Sequence, residues 1–567
     1  AIPHSKFARG EIGGTAARQG TSYPSGRRGV GSMEGEAKVR WNEWDADAFS
    51  RAEAEGKLVF LDVSATWCHW CHVLDRTSLS DPRVVRLLNE SFIPIRVDTD
   101  RRPDINDRYN QGGWPTTAVL LPNGQLLTGA TYLPPDSLYE VLSKCARFYE
   151  SDRSRIEQYL EDAAAQAAGS AAAEEGEPPA GPRPEDLPLV KHAVLASYDP
   201  LHPGFFREPK FLMADLLAFL RDAWVLEANR EMGDTLRRVL RAMGTSGVFD
   251  AVEGGFFRYA TRRDWTAPHY EKLLADNAEM LLLYASAHEK TGEALPARIA
   301  EKILRFLFSR LLDPATGAFF SSQDADEEYF LLDAEGRSQR PAPTVDRTVI
   351  SEYNGRAVSA LAAAHRAFGA GTGVPAEAGD TLLARAVRLG DHLRSRLWSE
   401  ELGQIRYRED SRAEAGHLAD NVSAATAYLD LWEVGGEARH LAWAGEILDW
   451  SVRHLYAARL FGFLDRVPRE GDHGALSLSL VPFAPNARMA CALMRYSREA
   501  ARPDLFAVAE QTLKGLSVEF DRRAAFGAPY GSALLLYWKG ARGAVCLPGD
   551  PSCSSGDAGD VLRARGM

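Results

Sequence analysis

An apolar run, Lys57 to Val63 (KLVFLDV), feeds directly into Ser64-Ala65-Thr66-Trp67-Cys68-His69-Trp70-Cys71-His72 and then into helical text. A buried strand that delivers a Cys-x-x-Cys to the start of a helix leaves few folds open to the chain. The pair can be read as a zinc clip, a redox couple or chance. Zinc needs about four ligands, and no second Cys or His pair follows at the usual spacing, although His69 and His72 keep a site conceivable. Dithiol chemistry needs this arrangement, because amides and dipole at a helix start stabilise the thiolate of the first cysteine. Cys68 is then the nucleophile, Cys71 the resolving thiol, and a protonated His69 favours the thiolate further. No metal and no cofactor are expected.

Two further features join the pair. Asp62, six residues before Cys68, is placed on the strand beneath the cysteines, where a buried carboxylate could accept the resolving thiol's proton. Its plain alternative is a strand-end aspartate in a satisfied hydrogen bond. Trp114-Pro115 opens the run TTAVLLP; proline cannot donate to a sheet ladder, so Pro115 belongs at the strand's first residue, with a cis bond facing the dithiol as the functional reading.

The flanking text supplies the rest of an α/β unit. WDADAFSRAEAEG reads as a helix with a glycine stop, FIPIRVD, TTAVLLP and GQLLTGATYLP as strands, the last two a hairpin around Asn123-Gly124. The helix from Asp136 closes it. Residues 1–40 read as a flexible extension, and residues 161–186, rich in Ala, Glu, Gly and Pro, as a linker. The six cysteines are too sparse for a disulfide scaffold; Cys145 and Cys491 fall in apolar helical text as buried small hydrophobes. A net charge of −12 and a pI near 5.7 exclude general affinity for nucleic acid or an anionic membrane. No run of about 18 apolar residues and no export pattern is found, so a cytoplasmic location is expected, while a start at Ala1 leaves a removed leader open.

On these motifs residues 41–160 resemble the thioredoxin fold, by the spacing from Asp62 to Trp67-Cys68-x-x-Cys71 and then Trp114-Pro115-Thr116. TWCHWCHVLDRTSLSDPRVVRLLNESFIPIRVDTDRRPDI and QGGWPTTAVLLPNGQLLTGATYLPP are similar to the spermatogenesis-associated thioredoxin-like family. That resemblance implies a thioredoxin-like domain followed by a helical barrel of the six-hairpin glycosidase type. The chain departs from the family pattern in lacking its Ser-Pro-Tyr-Leu segment and the insertion between Tyr109 and Gly112, which implies a more open dithiol. Asp62 also stands where a serine is expected. Cys546 and Cys553 resemble a terminal cysteine pair, implied either to pair locally or to exchange with Cys68; an idle reduced pair is the alternative.

The second half carries its own repeat. Glycine turns followed by apolar or aromatic residues recur at Gly204, Gly255, Gly317, Gly403, Gly462 and, weakly, Gly527, with helical text between. LADN at 274–277 returns at 418–421, an offset of 144, and each copy leads into an apolar helix ending in Gly-Glu. Six helical hairpins closing into a toroid follow, because each hairpin buries a face only against its neighbours; an open solenoid is the rival. The expected fold is therefore multidomain: an α/β thioredoxin-like domain, then an all-α (α/α)6 toroid over residues 187–545 and a tail over 546–567. REPKF, GGFFRY, PHYEKLLADNAEMLLLY, FFSSQDADEE and SEYNG resemble the family's barrel segments, with Gln323, Glu352-Tyr353 and Ala419 as departures that remove acids from a sugar site.

Loops at one end of such a toroid form a funnel. Its candidate residues are Arg258, Tyr259, His269, Glu271, Asp276, Asp324, Asp326, Asn354 and Asp420. Glycoside hydrolysis needs two carboxylates, here Glu271 with Asp324 or Asp420, whereas an epimerase or isomerase needs a base beside the sugar carbon, for which His269 is the choice. Against these stand plain readings: a polar network at His269-Tyr270-Glu271-Lys272, helix caps or inter-hairpin bonds at Asp276 and Asp420, and a solvated or metal-binding acidic turn at QDADEE. The favoured function is a thiol–disulfide oxidoreductase with a protein or small-molecule thiol partner, its barrel binding a client or carbohydrate-like ligand. A carbohydrate-active enzyme with a redox-regulatory domain and a non-catalytic scaffold are the alternatives.

Overall fold

Asp45 opens the first helix, α1 (Ala46–Glu55), by accepting from the amide of Ala48, and Gly56 ends it in the left-handed region at φ 63°. The computed structural model describes residues 38–173, 179–369, 381–411 and 416–541. Of the regions named above, the extension up to residue 37, linker residues 174–178 and the tail with Cys546 and Cys553 lie outside the described residues.

Strand β1 (Leu58–Ser64) follows, then α2 (His69–Arg76), α3 (Pro82–Ser91), β2 (Phe92–Asp98), α4 (Pro103–Tyr109), β3 (Thr116–Leu120), β4 (Leu126–Ala130) and α5 (Pro135–Ala173). The sheet order is β2-β1-β3-β4, with β1 parallel to β2 and antiparallel to β3. Because β1 is central and packed on both faces, its apolar run is continuous rather than alternating. The Trp114–Pro115 bond is cis, and Pro115 sits immediately before β3. One boundary needs correction: helix α5, bent at Asp152, continues to Ala173 through the first half of the expected linker. Its Ala- and Glu-rich text is short of large apolar residues but strong in helix propensity.

The helical ring comprises α6 (Asp186–Ala196), α7 (Ala214–Glu227), α8 (Arg230–Gly244), α9 (Leu274–Thr291), α10 (Ala294–Phe306), the short α11 (Glu327–Phe330) and α12 (Ala334–Ser338), α13 (Ser351–Phe368), α14 (Leu382–His392), α15 (Leu418–Gly435), α16 (Ala438–His454), α17 (Phe483–Ala500), α18 (Pro503–Glu519) and α19 (Ala528–Leu535). The inner helices follow one another as α7, α9, α13, α15, α17 and α19, and α19 packs back on α7, which closes the toroid. Each has an outer partner: α8, α10, α14, α16 and α18 in turn, with α6 against α19. Patterning explains the two layers. Outer α8 buries one stripe (Met232, Leu236, Val239, Leu240, Met243), whereas inner α13 is buried on most sides and uses alanines to let its neighbours approach.

The two sequence repeats turn out to be one device. A bridge joins Tyr198 to Phe205, Phe249 to Phe256, Leu312 to Phe319, Trp398 to Ile405 and Tyr456 to Phe463, always seven residues apart around the glycine turn. After three of these five turns the fourth residue of the next inner helix is an asparagine that pins the turn, whereas α7 has Leu217 at that place. Asn277 Oδ1 accepts from the Phe256 amide (2.6 Å) while its Nδ2 donates to Phe256 O and Leu273 O. Asn354 repeats this with Phe319 and Ile350, and Asn486 with Phe463 and Pro482. Asn354, expected in the funnel, is therefore a fully buried structural residue. At Gly255, at φ 81°, a Cβ would meet the Phe306 ring at 2.7 Å, so only glycine makes this turn. The weak sixth repeat, Gly527, has no such bridge among the described residues; it precedes α19 with a right-handed backbone.

The described residues from Val39 onward form one compact unit. The segment 472–478 of the ring reaches into the α/β layer, where Leu476 joins the core formed by Trp44, Phe49 and Tyr109. Gly124 and Gly474 touch backbone to backbone there; a Cβ on Gly124 would lie 2.6 Å from the Gly474 Cα.

A dithiol covered by the helical ring

Cys68 is the N-cap of α2, and its Sγ accepts from the Cys71 amide at 3.2 Å. The two cysteines are joined as a disulfide, with Cα atoms 5.2 Å apart. Each is only 3% exposed; they cluster with Ala65 and Trp67, and Trp114 and Leu273 pack against them. The expectation of an open dithiol is thus corrected: a loop of the ring covers the site.

Asp62 is buried on β1 and accepts from Arg96 Nε at 2.7 Å, while its other oxygen has no hydrogen-bond partner among the described residues. Burial raises its pKa to about 6 despite the Arg96 guanidinium. Behind the cysteines, Trp67 Nε1 donates to Asp100 Oδ2 (2.7 Å), and Tyr353 of α13 donates to the other Asp100 oxygen at 3.2 Å. Burial, then the neighbouring Asp98 charge, lifts Asp100 to about 7.

A cavity of about 520 Å³ lies where the α/β layer meets the ring. Trp67, Asp100, Asp107 and Trp114 form one wall; the first turns of α9, α13, α15 and α17 form the other. Asp276, Glu352 and Asp420 stand in those first turns, where a carboxylate offsets the positive helix end. Arg258 spans the cavity edge, its guanidinium 4.5 Å from the Trp67 ring centroid and 4.8 Å from that of Trp114. Burial raises Asp276 to about 6, opposed by Arg258, and lowers His417 to about 4.

The predicted barrel residues therefore divide. Arg258, Asp276 and Asp420 line the cavity. Asp420 also accepts from the Glu352 amide, an inter-hairpin bond capping α13. Glu271 and Asp324 turn instead to the dithiol helix: Glu271 Oε1 lies 3.4 Å from the His69 amide nitrogen, and Asp324 Oδ2 lies 3.8 Å from His72 Nε2. His269 stacks on Tyr259, 4.4 Å between centroids, with its Nδ1 3.9 Å from Glu271; burial lowers its pKa. Neither His269 nor Tyr259 lines the cavity. Asp326 is a helix cap, accepting from the Tyr329 amide. Among the described residues no group of three or more His, Cys, Asp or Glu side chains could hold a metal ion, and no helix is long and apolar enough to cross a membrane.

Sequence reading missed Asp100, Tyr353 and the Arg108–Asp465 pair. Tyr353 carried a signal in the departure Glu352-Tyr353, whereas Asp100 lay in an acidic turn with nothing to distinguish it from a solvated one. Cys145 and Cys491 are half-buried free thiols, and burial raises both, that of Cys491 to about 12.

Residues 33–167 match the family described as Thioredox_DsbH, protein of unknown function, DUF255. Spermatogenesis-associated protein 20 of Homo sapiens is 32% identical over 324 residues, covering 53% of this chain and 40% of the human protein. The match thus spans less than half of that relative. Thioredoxin-1 of Drosophila melanogaster is 31% identical over 85 residues, 15% of this chain and 77% of the thioredoxin. The ring shares its fold with cellobiose 2-epimerase from Spirochaeta thermophila, with a TM-score of 0.50, 16% identity and coverage of 63% of this chain and 94% of the epimerase.

Proposed function

We propose that this chain, similar over about half its length to spermatogenesis-associated protein 20 and matching the Thioredox_DsbH family over residues 33–167, is a thiol–disulfide oxidoreductase working through Cys68 and Cys71, with access to the dithiol controlled by the helical ring. The observation that carries this reading is the Cys68 sulfur capping α2, where the helix start favours its thiolate. In the reducing direction the Cys68 thiolate attacks a substrate disulfide R–S–S–R′, forming Cys68–S–S–R and releasing R′–S⁻. Cys71 gives its proton to Asp62 and attacks the Cys68 sulfur. R–S⁻ leaves, the Cys68–Cys71 disulfide forms, and two electrons have passed to the substrate. The cover of Leu273 and Trp114 favours a small disulfide, or a client held by the ring, over a folded protein surface.

The cavity favours a second role for the ring. Trp67, Trp114, Tyr353 and Tyr407 supply aromatic walls, and Arg258, Asp276 and Asp420 supply polar contacts, a combination suited to a carbohydrate-like ligand. Glycoside hydrolysis loses support, because Glu271 and Asp324 face the dithiol helix.

Cys68→Ser tests the first reading: it should abolish reduction of a small disulfide such as 5,5′-dithiobis(2-nitrobenzoate), and retained turnover would refute the assignment. A thermal-shift screen of mono- and disaccharides on the same variant tests the ring separately, since native-state binding raises Tm.

A further inference from the structure

Glu271 lies 202 positions from His69 in the chain, yet it is the carboxylate that meets the start of the dithiol helix. Its placement follows from local structure. Glu271 lies between two short strands, Pro268–His269 and Lys272–Leu273, and in the second of these neighbouring side chains alternate between faces. Lys272 points into the ring wall, where its buried Nζ donates to Asp250 (2.7 Å) and to Gly254 O (2.8 Å). Glu271 and Leu273 consequently emerge on the opposite side, Leu273 against the cysteines and Glu271 toward the amide that follows Cys68. The Arg258 amide holds the Glu271 carbonyl at 2.9 Å, fixing the segment. Glu271 is 2% exposed, and its Oε2 has no hydrogen-bond partner among the described residues. A buried carboxylate with a spare oxygen, held at the amide that follows a redox cysteine, is an incomplete arrangement in the disulfide state; a proton released from the reduced dithiol would complete it.

We propose that Glu271, contributed by the helical ring, is the acid–base partner of Cys68. This rests on the oxidoreductase reading above. In the reduced protein the Cys68 thiol passes its proton to the Glu271 carboxylate, and the thiolate attacks R–S–S–R′. The departing R′–S⁻ takes that proton from Glu271, leaving R′–SH and regenerating the carboxylate. Cys71 then gives its proton to Asp62 and attacks the Cys68 sulfur, and the departing R–S⁻ takes that proton from Asp62, so the dithiol loses two electrons and the substrate gains them together with two protons. The groups facing Glu271 set the balance: Arg258 favours its ionised form, as does His69 when charged, His269 stands 3.9 Å away, and Tyr259 stacks behind that ring. Burial opposes all of these and raises the Glu271 pKa toward the range where it can hold a proton. On this proposal Glu271 and the reduced Cys68 titrate as a coupled pair.

Glu271→Gln tests this, because the amide keeps the oxygen that meets the His69 amide and removes only the ionisable group. Thiolate absorbance near 240 nm is recorded against pH for the full, reduced chain with and without Cys68→Ser, which isolates Cys68 without requiring reagent access. The parent chain should show a broadened, two-step titration. Glu271→Gln should show a single step displaced downward by about one pH unit, since a neighbouring negative charge is gone, and disulfide reduction slowed by about tenfold or more, since the leaving thiolate has lost its acid. An unchanged titration in Glu271→Gln, with the parent active, would overturn the proposal and leave the oxidoreductase reading intact. A parent chain without Cys68-dependent turnover would instead overturn that reading itself. Loss of activity with an unchanged titration would mark Glu271 as a structural contact only and also refute the proposal.

Discussion

Arg108 on α4 and Asp465 of the ring form a two-pronged ion pair, with contacts of 2.7 and 3.1 Å and side chains only 6% and 10% exposed. The same guanidinium donates to the carbonyls of Ala475 and Leu478, so one side chain ties the α/β layer to the segment that enters its core.

Removing one partner of a buried pair strands the other charge and costs about 3–5 kcal/mol. Arg108→Ala should therefore loosen the ring from the α/β layer. The expected readout is at least tenfold faster alkylation of Cys68 by iodoacetamide in the reduced protein, followed by peptide mass spectrometry. An unchanged rate would mean that the cover over the dithiol does not depend on this anchor.

Asp62→Asn removes the proton acceptor assigned to Cys71. Wild-type turnover should rise as pH passes through about 6, where Asp62 ionises. The variant should lose that limb and run about ten to a hundredfold slower above it. A preserved limb in stopped-flow oxidation of the dithiol would remove Asp62 from the mechanism.

Asp100 links Trp67 to Tyr353 at an energetic cost that depends on pH. Its folded pKa, about 7, lies above the ordinary aspartate value of 3.8, so the native state binds the proton more tightly than the unfolded chain. Its favourable contribution is fully present below about pH 4 and is lost as pH rises toward 7. Asp100→Asn, which keeps an acceptor for Trp67, should be near neutral at pH 4 and stabilising by about 2 kcal/mol at pH 8. Thermal melts at the two pH values measure this, and a pH-independent difference would contradict it.

Asn354→Ala should cost about 2–4 kcal/mol, because it leaves the Phe319 amide and carbonyl buried without partners. Asn277→Ala and Asn486→Ala should behave alike. Chemical denaturation checks all three; a loss well below 1 kcal/mol would show that the turns hold without their asparagines.

The sequence alone determined the parts whose cause is local. An apolar run ending at Asp62 and Val63, a Cys-x-x-Cys at a helix start, and glycine turns followed by aromatics each report a backbone period or conformation, so the α/β thioredoxin-like unit and the six-hairpin ring were legible from it. The spacing of LADN even placed the asparagine of the turn device, though its role was misread at Asn354, since a buried amide that pins a turn and one that lines a funnel look identical in text. Only the tertiary structure decided which groups meet. Glu271 and His69, or Arg108 and Asp465, are brought together by docking two independently patterned layers, and hydrophobic periodicity says which face is buried without naming what covers it. For the same reason Asp276 and Asp420, in the first turns of α9 and α15, reached the cavity while Glu271 and Asp324, in the loops between helices, turned toward the dithiol: the element that carries each carboxylate and the layer docked against it, not the composition of its motif, set its direction.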